Sequence, residues 1–185
     1  MTPLWIILGI VILLALFSIA SYNRLVSLRE QVRSAWAQID VMLKRRYDLI
    51  PNLVETVKGY AAHERQTLEA VIAARNQAVA STGNPQQAAQ AEGVLTGALR
   101  QLFAVAEAYP DLKANQNFLQ LQQELSSTEN QISSQRQQYN ALVAAYNTAL
   151  MSFPNNLIAG PFGFTPQPFF ELQDPTQREA PAVKF

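Results

Sequence analysis

A run of uncharged apolar residues near the start of the chain constrains how everything after it can fold. The segment Leu4–Ala20 holds no ionisable side chain, and the first charged side chain that follows is Arg24. A helix needs about 20 residues to cross roughly 30 Å of hydrocarbon, and the residues from Thr2 to Tyr22 meet that length. The pattern predicts a transmembrane anchor over residues 1–22. Its representative positions are Leu4, Trp5, Ile10, Leu14, Phe17 and Ala20.

A cleaved signal peptide is the alternative interpretation of the same run. Ser18-Ile19-Ala20 has the small-x-small form of a cleavage site. However, no Lys or Arg precedes the run, whereas a signal peptide begins with a positively charged region, and the run is longer than the usual apolar core of such a peptide. These two differences favour an uncleaved anchor and make the lipid bilayer the first expected partner.

The charge distribution predicts the orientation of the anchor. Arg24, Arg29 and Arg33 follow the apolar run, so the positive-inside rule places the N-terminus outside and the rest of the chain in the cytoplasm. Export of the domain to the periplasm is the alternative. The net charge is zero, which argues against a nucleic-acid partner. The chain has no cysteine, which rules out disulfides and thiolate-based metal sites.

Apolar residues beyond the anchor repeat with the helical period. Two rows together form a broad apolar face, which is typical of a helix packed in a bundle. Pro51 lies inside this pattern and lacks the N–H that a continuous helix needs. An unbroken helix from Tyr22 to Ala80 would be about 88 Å long, so we predict that the helix stops near Tyr47 and restarts at Pro51. The alternative is a kinked helix, which the unbroken phase of the apolar pattern across Pro51 favours. The rows consist of Leu25, Leu28, Val32, Ala35, Ile39 and Met42, and of Trp36, Leu43, Ile50 and Val57.

Turn signals divide the rest of the chain into two further helical regions. The sequence Ser81-Thr82-Gly83-Asn84-Pro85 supplies a glycine beyond one helix end, an Asn cap and a proline at the next helix start. The following helix is predicted to end at Tyr109-Pro110, and Asp111 is predicted to open the last one, which Pro154 ends. The face of this last helix opposite its apolar seam is rich in Gln, Asn and Ser, so it is either a solvated surface or a contact surface.

The chain after residue 153 changes composition. Residues 154–172 combine Pro and Gly with phenylalanines and are predicted to be an irregular segment that docks on the protein or on the membrane. In an up-and-down arrangement of four helices this segment emerges beside Tyr22, and with three helices it emerges at the far end. Residues 173–185 are predicted to be a disordered tail. The candidate docking side chains are Phe162, Phe164, Phe169 and Phe170.

The densest charge cluster is Lys44-Arg45-Arg46-Tyr47-Asp48. Arg46 falls on the apolar face, and a buried arginine needs a carboxylate partner. We therefore predict an ion pair with Asp48 or with a Glu on another helix. A binding site for an anionic partner is the alternative interpretation of this cluster.

The sequence offers no recognisable catalytic or cofactor site. His63 is the sole histidine, and the glutamates are spaced singly along helices, so neither a di-iron site nor a catalytic carboxylate pair is indicated. Phosphate-binding loops and zinc signatures are absent from the sequence. We expect no cofactor, no metal and no small-molecule substrate.

Four segments of the chain resemble the LemA family. They are YNRLVSLREQVRSAWAQIDVMLKRRYDLIPNLVETVKGYAAHE, VAEAYPDLKANQNFLQLQQELSSTENQI, YNALVAAYN and FPNNLIAGPFGF, and the resemblance extends from Tyr22 to Glu171. It implies a bacterial membrane protein with one N-terminal span and an antiparallel bundle of about four helices. The family offers no established activity or catalytic residues to transfer. One branch is associated with forming specialised intracellular membranes.

Together, these observations predict an all-α protein with a transmembrane helix and an antiparallel up-and-down bundle of about four long helices over residues 23–153. The expected function is that of a membrane-anchored, non-catalytic scaffold or membrane-organising protein, which acts through its polar helix face and aromatic segment on an unknown partner protein. Self-assembly on the membrane is the alternative, and a metal-dependent enzyme is the least favoured reading.

Overall fold

The regular structure of the chain is helical. The computed structural model describes residues 2–171, and no strand occurs within that range. This confirms the all-α class and the apolar N-terminal helix, while the tail predicted over residues 173–185 lies outside the described residues. The helices within the range are α1 (Thr2–Lys58), α2 (Arg65–Ala80), α3 (Pro85–Ala106), α4 (Pro110–Lys113), α5 (Gln116–Met151) and α6 (Asn155–Ala159).

The first helix does not break at Pro51, so the predicted stop near Tyr47 is wrong. Helix α1 continues through Pro51 to Lys58. Proline cannot donate to the carbonyl four residues earlier, which is that of Tyr47. This carbonyl instead accepts a hydrogen bond from Nε of Arg75 in α2, at 3.2 Å. A side chain from another helix thus satisfies the acceptor that the proline leaves free.

The boundary between α2 and α3 follows the predicted signals. Helix α2 ends at Ala80, and α3 begins at Pro85. Oδ1 of Asn84 accepts hydrogen bonds from the backbone N–H groups of Gln86 at 2.9 Å and Gln87 at 3.3 Å. The cap satisfies two of the amides that have no partner within the first turn of the helix.

The start of the last long helix differs from its prediction. Asp111 lies inside the short helix α4, and α5 begins at Gln116. Oδ1 of Asn115 accepts a hydrogen bond from the backbone N–H of Phe118 at 3.0 Å. Asn115, rather than Asp111, therefore caps α5.

The segment after α5 is also more regular than predicted. Helix α5 ends at Met151, before Pro154, and α6 forms a short helix in a stretch expected to be irregular. Between Pro154 and Gly160 the sequence contains no proline or glycine, which leaves enough residues for one helical turn.

The described chain divides into two units. The first unit comprises the described residues through Ala37 together with Gln137–Pro168, and the second comprises Gln38–Arg136 together with the described residues from Phe169. Helices α1 and α5 contribute to both units. Buried apolar side chains of the first unit include Leu25, Val32, Ala35, Tyr139, Val143, Tyr146 and Phe164. Those of the second unit include Ile39, Leu43, Ile50, Leu53, Val57, Val71, Leu95, Leu102, Leu112, Phe118 and Ile132.

The apolar stretch at the start of α1 is almost entirely exposed within the structure. By length and composition it could cross a membrane, a property that signal sequences share. The predicted anchor positions are all exposed: Leu4, Trp5, Ile10, Leu14, Phe17 and Ala20.

Candidate functional site

The candidate site is centred on an arginine in the apolar face of α1. Arg46 lies on the 3-4 spaced row of Ile39, Leu43, Ile50 and Leu53, so the helical period turns it inward, and it is only 4% exposed. Removing a guanidinium from water is costly unless carboxylates and hydrogen bonds compensate it. The compensating groups come from α3 and α5, within the second unit.

Two carboxylates and a hydroxyl surround the guanidinium of Arg46. Its Nη1 donates to Oε2 of Glu92 at 2.7 Å, and its Nη2 donates to Oγ1 of Thr96 at 3.1 Å. Oε2 of Glu129 lies 2.7 Å from the same Nη1. The prediction that Arg46 pairs with a Glu on another helix is confirmed.

The contact of Glu129 with Arg46 is electrostatic rather than a hydrogen bond. Although the distance is short, Oε2 of Glu129 is buried and receives no well-aligned donor within residues 2–171. The side chain as a whole is 40% exposed, which leaves Glu129 more hydrated than Glu92.

The second oxygen of Glu92 is held by a tyrosine. The buried hydroxyl of Tyr47 donates to Oε1 of Glu92 at 2.7 Å. Tyr47 follows Arg46 directly on α1, so neighbouring residues of one helix hold the two oxygens of a single carboxylate. The side chains of Arg46, Tyr47, Glu92, Thr96 and Glu129 are called the charge network below.

Burial changes the acidity of the network. Desolvation raises the pKa of Glu92 above its usual range, because it outweighs the attraction of Arg46, and the nearby Glu129 carboxylate adds to the increase. Burial also raises the pKa of Tyr47, with a further increase from the negative charge of Glu92. Tyr47 therefore stays protonated and acts as a donor.

An open groove of about 1120 Å³ adjoins the charge network. Arg46, Thr96 and Glu129 form part of its wall, and α3 and α5 supply most of the rest. Apolar side chains such as Leu99 and Phe103 also line it. Apart from Thr96 on α3, its uncharged polar lining comes from α5 and consists of Gln122, Gln123, Ser126, Ser127, Asn130, Gln131 and Ser134.

The other members of the predicted charge cluster are at the surface. Nζ of Lys44 lies 2.8 Å from Oδ2 of Asp48, one helical turn away, and both side chains are exposed. Arg45 is exposed as well. An exposed pair of this kind contributes at most about 1 kcal/mol, so the sequence cluster separates into a buried pair, Arg46 and Tyr47, and a solvated remainder.

The phenylalanine-containing segment of the first unit packs on α1 beside Tyr22. The ring of Tyr22 contacts Phe162 and Phe164 edge-on, with centroids 5.1 and 5.6 Å apart. The guanidinium carbon of Arg29 lies 5.1 Å from the ring centroid of Phe164, within range of a cation–π contact. Phe164 is buried, whereas Phe162 is exposed.

Backbone contacts fix the same segment against α5. Asn147 donates to the carbonyl of Gln167 and accepts from its backbone N–H, both at 2.9 Å. The hydroxyl of Tyr139 donates to the carbonyl of Pro168 at 2.8 Å. Gly163 adopts a φ of 71°, a region that glycine enters without steric cost.

The remaining candidate residues lie in the second unit. Phe170 is buried and Phe169 is exposed. His63 is exposed, and the described part of the chain contains no group of three or more His, Cys, Asp or Glu side chains placed to hold a metal ion.

Glu92, Thr96 and Glu129 are the site residues that the sequence analysis did not single out. A signal for Glu92 was present, because it lies four residues after Ala88 and three before Leu95, on the buried face of α3. A carboxylate on an apolar helix face is unusual without a partner. Glu129 was harder to single out from the sequence, because its side chain lines the groove and is only partly buried.

The structure thus defines an all-helical protein with one exposed apolar N-terminal stretch and an arginine–glutamate network in the interior of its second unit. The profile of the LemA family matches residues 35–185. The chain therefore belongs to the LemA family. No curated protein matches the sequence.

Proposed function

We propose that this protein is a membrane-anchored, non-catalytic scaffold that binds a partner protein in the groove beside the charge network. In this proposal its long helices form an antiparallel up-and-down bundle, with the N-terminus outside the inner membrane and the bundle in the cytoplasm. The observation that carries the proposal is the exposed apolar stretch, which belongs to the same unbroken helix, α1, that supplies Arg46.

Exposure of the apolar stretch supports the membrane anchor. Removing apolar surface from water contributes roughly 25 cal/mol per Å², so a run of large exposed side chains is unfavourable in water and favourable in lipid. The arginines that follow the stretch, Arg24, Arg29 and Arg33, support the cytoplasmic placement of the bundle.

The pairing of buried Glu92 with two side chains of α1 supports a structural role for the charge network. Each oxygen of Glu92 accepts one hydrogen bond, from Arg46 and from Tyr47 respectively, so the carboxylate is held by two side chains of α1. Breaking a buried pair is far more costly than forming it is favourable. The network therefore specifies how α1, α3 and α5 pair in the second unit.

The size and lining of the groove support a protein partner. Small-molecule sites are clefts or cavities of about 300–1,000 Å³ that bury most of the surface of the ligand, whereas this groove is open and about 1120 Å³. It combines apolar side chains and uncharged amides and hydroxyls with three charged side chains, Arg46, Arg100 and Glu129, and binding surfaces between proteins are likewise enriched in arginine beside apolar groups. A helix or an extended segment of a partner fits this description.

The anchor and its orientation are tested by labelling a single cysteine. Because the chain has none, Ser81→Cys in the loop after α2 gives one reactive thiol. With a membrane-impermeant maleimide, we expect protection in intact cells and labelling after lysis. Labelling in intact cells would move the bundle to the outer side of the membrane, and loss of the protein from washed membranes would contradict the anchor itself.

The groove is tested by site-specific photo-crosslinking of the full chain in cells. A photoreactive residue at Ser127, in the groove, is compared with one at Gln66, an exposed position on α2 outside it. An adduct to another protein from Ser127 but not from Gln66, reproduced with that purified protein, supports the scaffold. An adduct of twice the chain mass favours self-assembly instead, and equal results at both positions contradict a role for the groove.

A further inference from the structure

A second cavity lies in the first unit, at the end of the apolar stretch of α1. It measures about 730 Å³, and its lining includes Phe17 and Arg24 from α1 together with Thr148, Ser152 and Phe153 from the α5 end of the chain. Each side of the cavity therefore contributes both apolar and polar side chains.

Arg24 brings an uncompensated positive charge to this cavity. The side chain is exposed, and within residues 2–171 it makes no ion pair. Arg29 and Arg33, by contrast, lie 3.7 and 4.0 Å from Glu30. A guanidinium that is not paired with a carboxylate can bind a phosphate through two parallel N–H donors, in a bidentate geometry.

A hydroxyl beside Arg24 adds a second free donor. Thr148 lines the same cavity, and its hydroxyl makes no hydrogen bond within the described residues. The hydroxyl of Ser152, by contrast, already donates a hydrogen bond to the backbone carbonyl of Thr148 at 2.7 Å. The cavity thus holds a cation and at least one free hydroxyl, which together match a phosphate ester.

Large apolar side chains at and after the end of α5, among them the cavity-lining Phe153, point to a lipid environment. Four of them, one at the last residue of α5 and three beyond it, are more than 60% exposed, which is unusual for a group of side chains close together in the sequence. Phe17 lines both this cavity and the apolar surface of α1 that includes Leu13 and Leu14, so the cavity continues directly onto the stretch that would contact acyl chains. These four residues, called the collar below, are Met151, Phe153, Leu157 and Phe162.

We propose that the cavity binds the headgroup of an anionic phospholipid and that the collar lies in the membrane interface around it. Arg24 and Thr148 bind the phosphate, the acyl chains follow the apolar surface beyond Phe17, and the collar side chains enter the boundary between headgroups and hydrocarbon, as in other interfacial segments. The inference rests on the proposed membrane anchor and adds the class of lipid and the residues that recognise it.

Lipid binding is measured by native mass spectrometry of the full chain in detergent, with added phosphatidylglycerol or phosphatidylcholine. We expect the wild-type protein to retain phosphatidylglycerol preferentially. Because one basic residue near an anionic surface changes binding about fivefold, Arg24→Gln should reduce phosphatidylglycerol retention by about that factor. Arg33→Gln, a matched change on the same helix outside the cavity, should leave retention unchanged. Equal retention in the two variants overturns the proposal.

The position of the collar is measured by spin labelling of the full chain in phosphatidylglycerol vesicles. A nitroxide on Leu157→Cys should be accessible to oxygen and shielded from a water-soluble nickel complex. The control is Gln138→Cys, an exposed position on α5 about 20 Å along the helix from its end, which should remain accessible to nickel. Equal nickel accessibility at the two positions overturns the interfacial placement and with it the proposal.

A carbonate wash of the same vesicles separates failure of this inference from failure of the anchor. If the wash releases the full chain, the membrane anchor fails and the lipid site fails with it. If the chain is retained while Arg24→Gln and Arg33→Gln bind phosphatidylglycerol equally, the anchor stands and the headgroup site alone is overturned.

Discussion

Replacing Arg46 by methionine should destabilise the second unit severely. Methionine keeps the unbranched alkyl stem of the side chain on α1 but lacks the guanidinium cation. That cation lies between Glu92 and Glu129, 2.7 Å from each carboxylate. Glu92 is 2% exposed, so it would be left as a buried charge whose remaining hydrogen bond within the described residues comes from Tyr47. Removing one partner of such a pair costs about 3–5 kcal/mol.

That cost is a large part of the stability of a domain of this size. Domains are typically stable by about 5–15 kcal/mol. With a urea dependence of about 2 kcal/mol per molar, the midpoint should fall by roughly 1.5–2.5 M in Arg46→Met. The assay is urea unfolding of the full chain in mild detergent, followed by far-UV circular dichroism.

Arg45→Met is the matched control, because it makes the same chemical change one residue earlier at an exposed position. We expect its midpoint to stay within about 0.3 M of wild type, as surface substitutions usually change stability by less than 0.5 kcal/mol. Adding Glu92→Gln to Arg46→Met should recover more than half of the loss, since a neutral amide can still accept from Tyr47. If Arg46→Met and Arg45→Met unfold at the same urea concentration, the argument for a buried charge network is refuted.

Three further outcomes test other parts of the structure. Because burial raises the pKa of Glu92 above its reference value of 4.5, the folded chain binds more protons than the unfolded one above that pH, so stability should fall as pH rises from 4.5 towards the raised pKa, and Glu92→Gln should flatten this slope in urea titrations. Asn84→Ala, which removes the cap of α3, should cost about 1 kcal/mol in thermal or urea unfolding, and no loss would contradict the capping role. Gly163→Ala should cost about 1 kcal/mol or more because its φ is 71°, whereas Gly160→Ala, at a helical φ of −62°, should be neutral or stabilising; equal unfolding midpoints would show that the turn imposes no glycine requirement.

Local patterns were sufficient to predict the elements whose signals are short-range. The cap at Asn84 and the proline at Pro85 marked the start of α3, because both act on amides within one turn. The placement of Arg46 on an apolar row also predicted that a carboxylate must approach it, since an isolated buried charge is too unfavourable to persist. Neither prediction needed knowledge of which segments meet in space.

The sequence could not identify the partner of that arginine. Glu92 and Glu129 lie 46 and 83 residues beyond Arg46 in the numbering, and single glutamates on helices are common at solvated positions. Only the packing of α3 and α5 against α1 distinguishes these two from the other glutamates.

The continuation of α1 through Pro51 likewise depended partly on the sequence and partly on the tertiary structure. The sequence by itself determined the helical period, the missing N–H at the proline and the exposed apolar stretch at the start of the chain. Whether the helix continued depended on the carbonyl of Tyr47, which Arg75 satisfies from α2 at 3.2 Å. The tertiary structure decided this outcome, because the donor that satisfies this carbonyl is a side chain that the fold brings in from another helix.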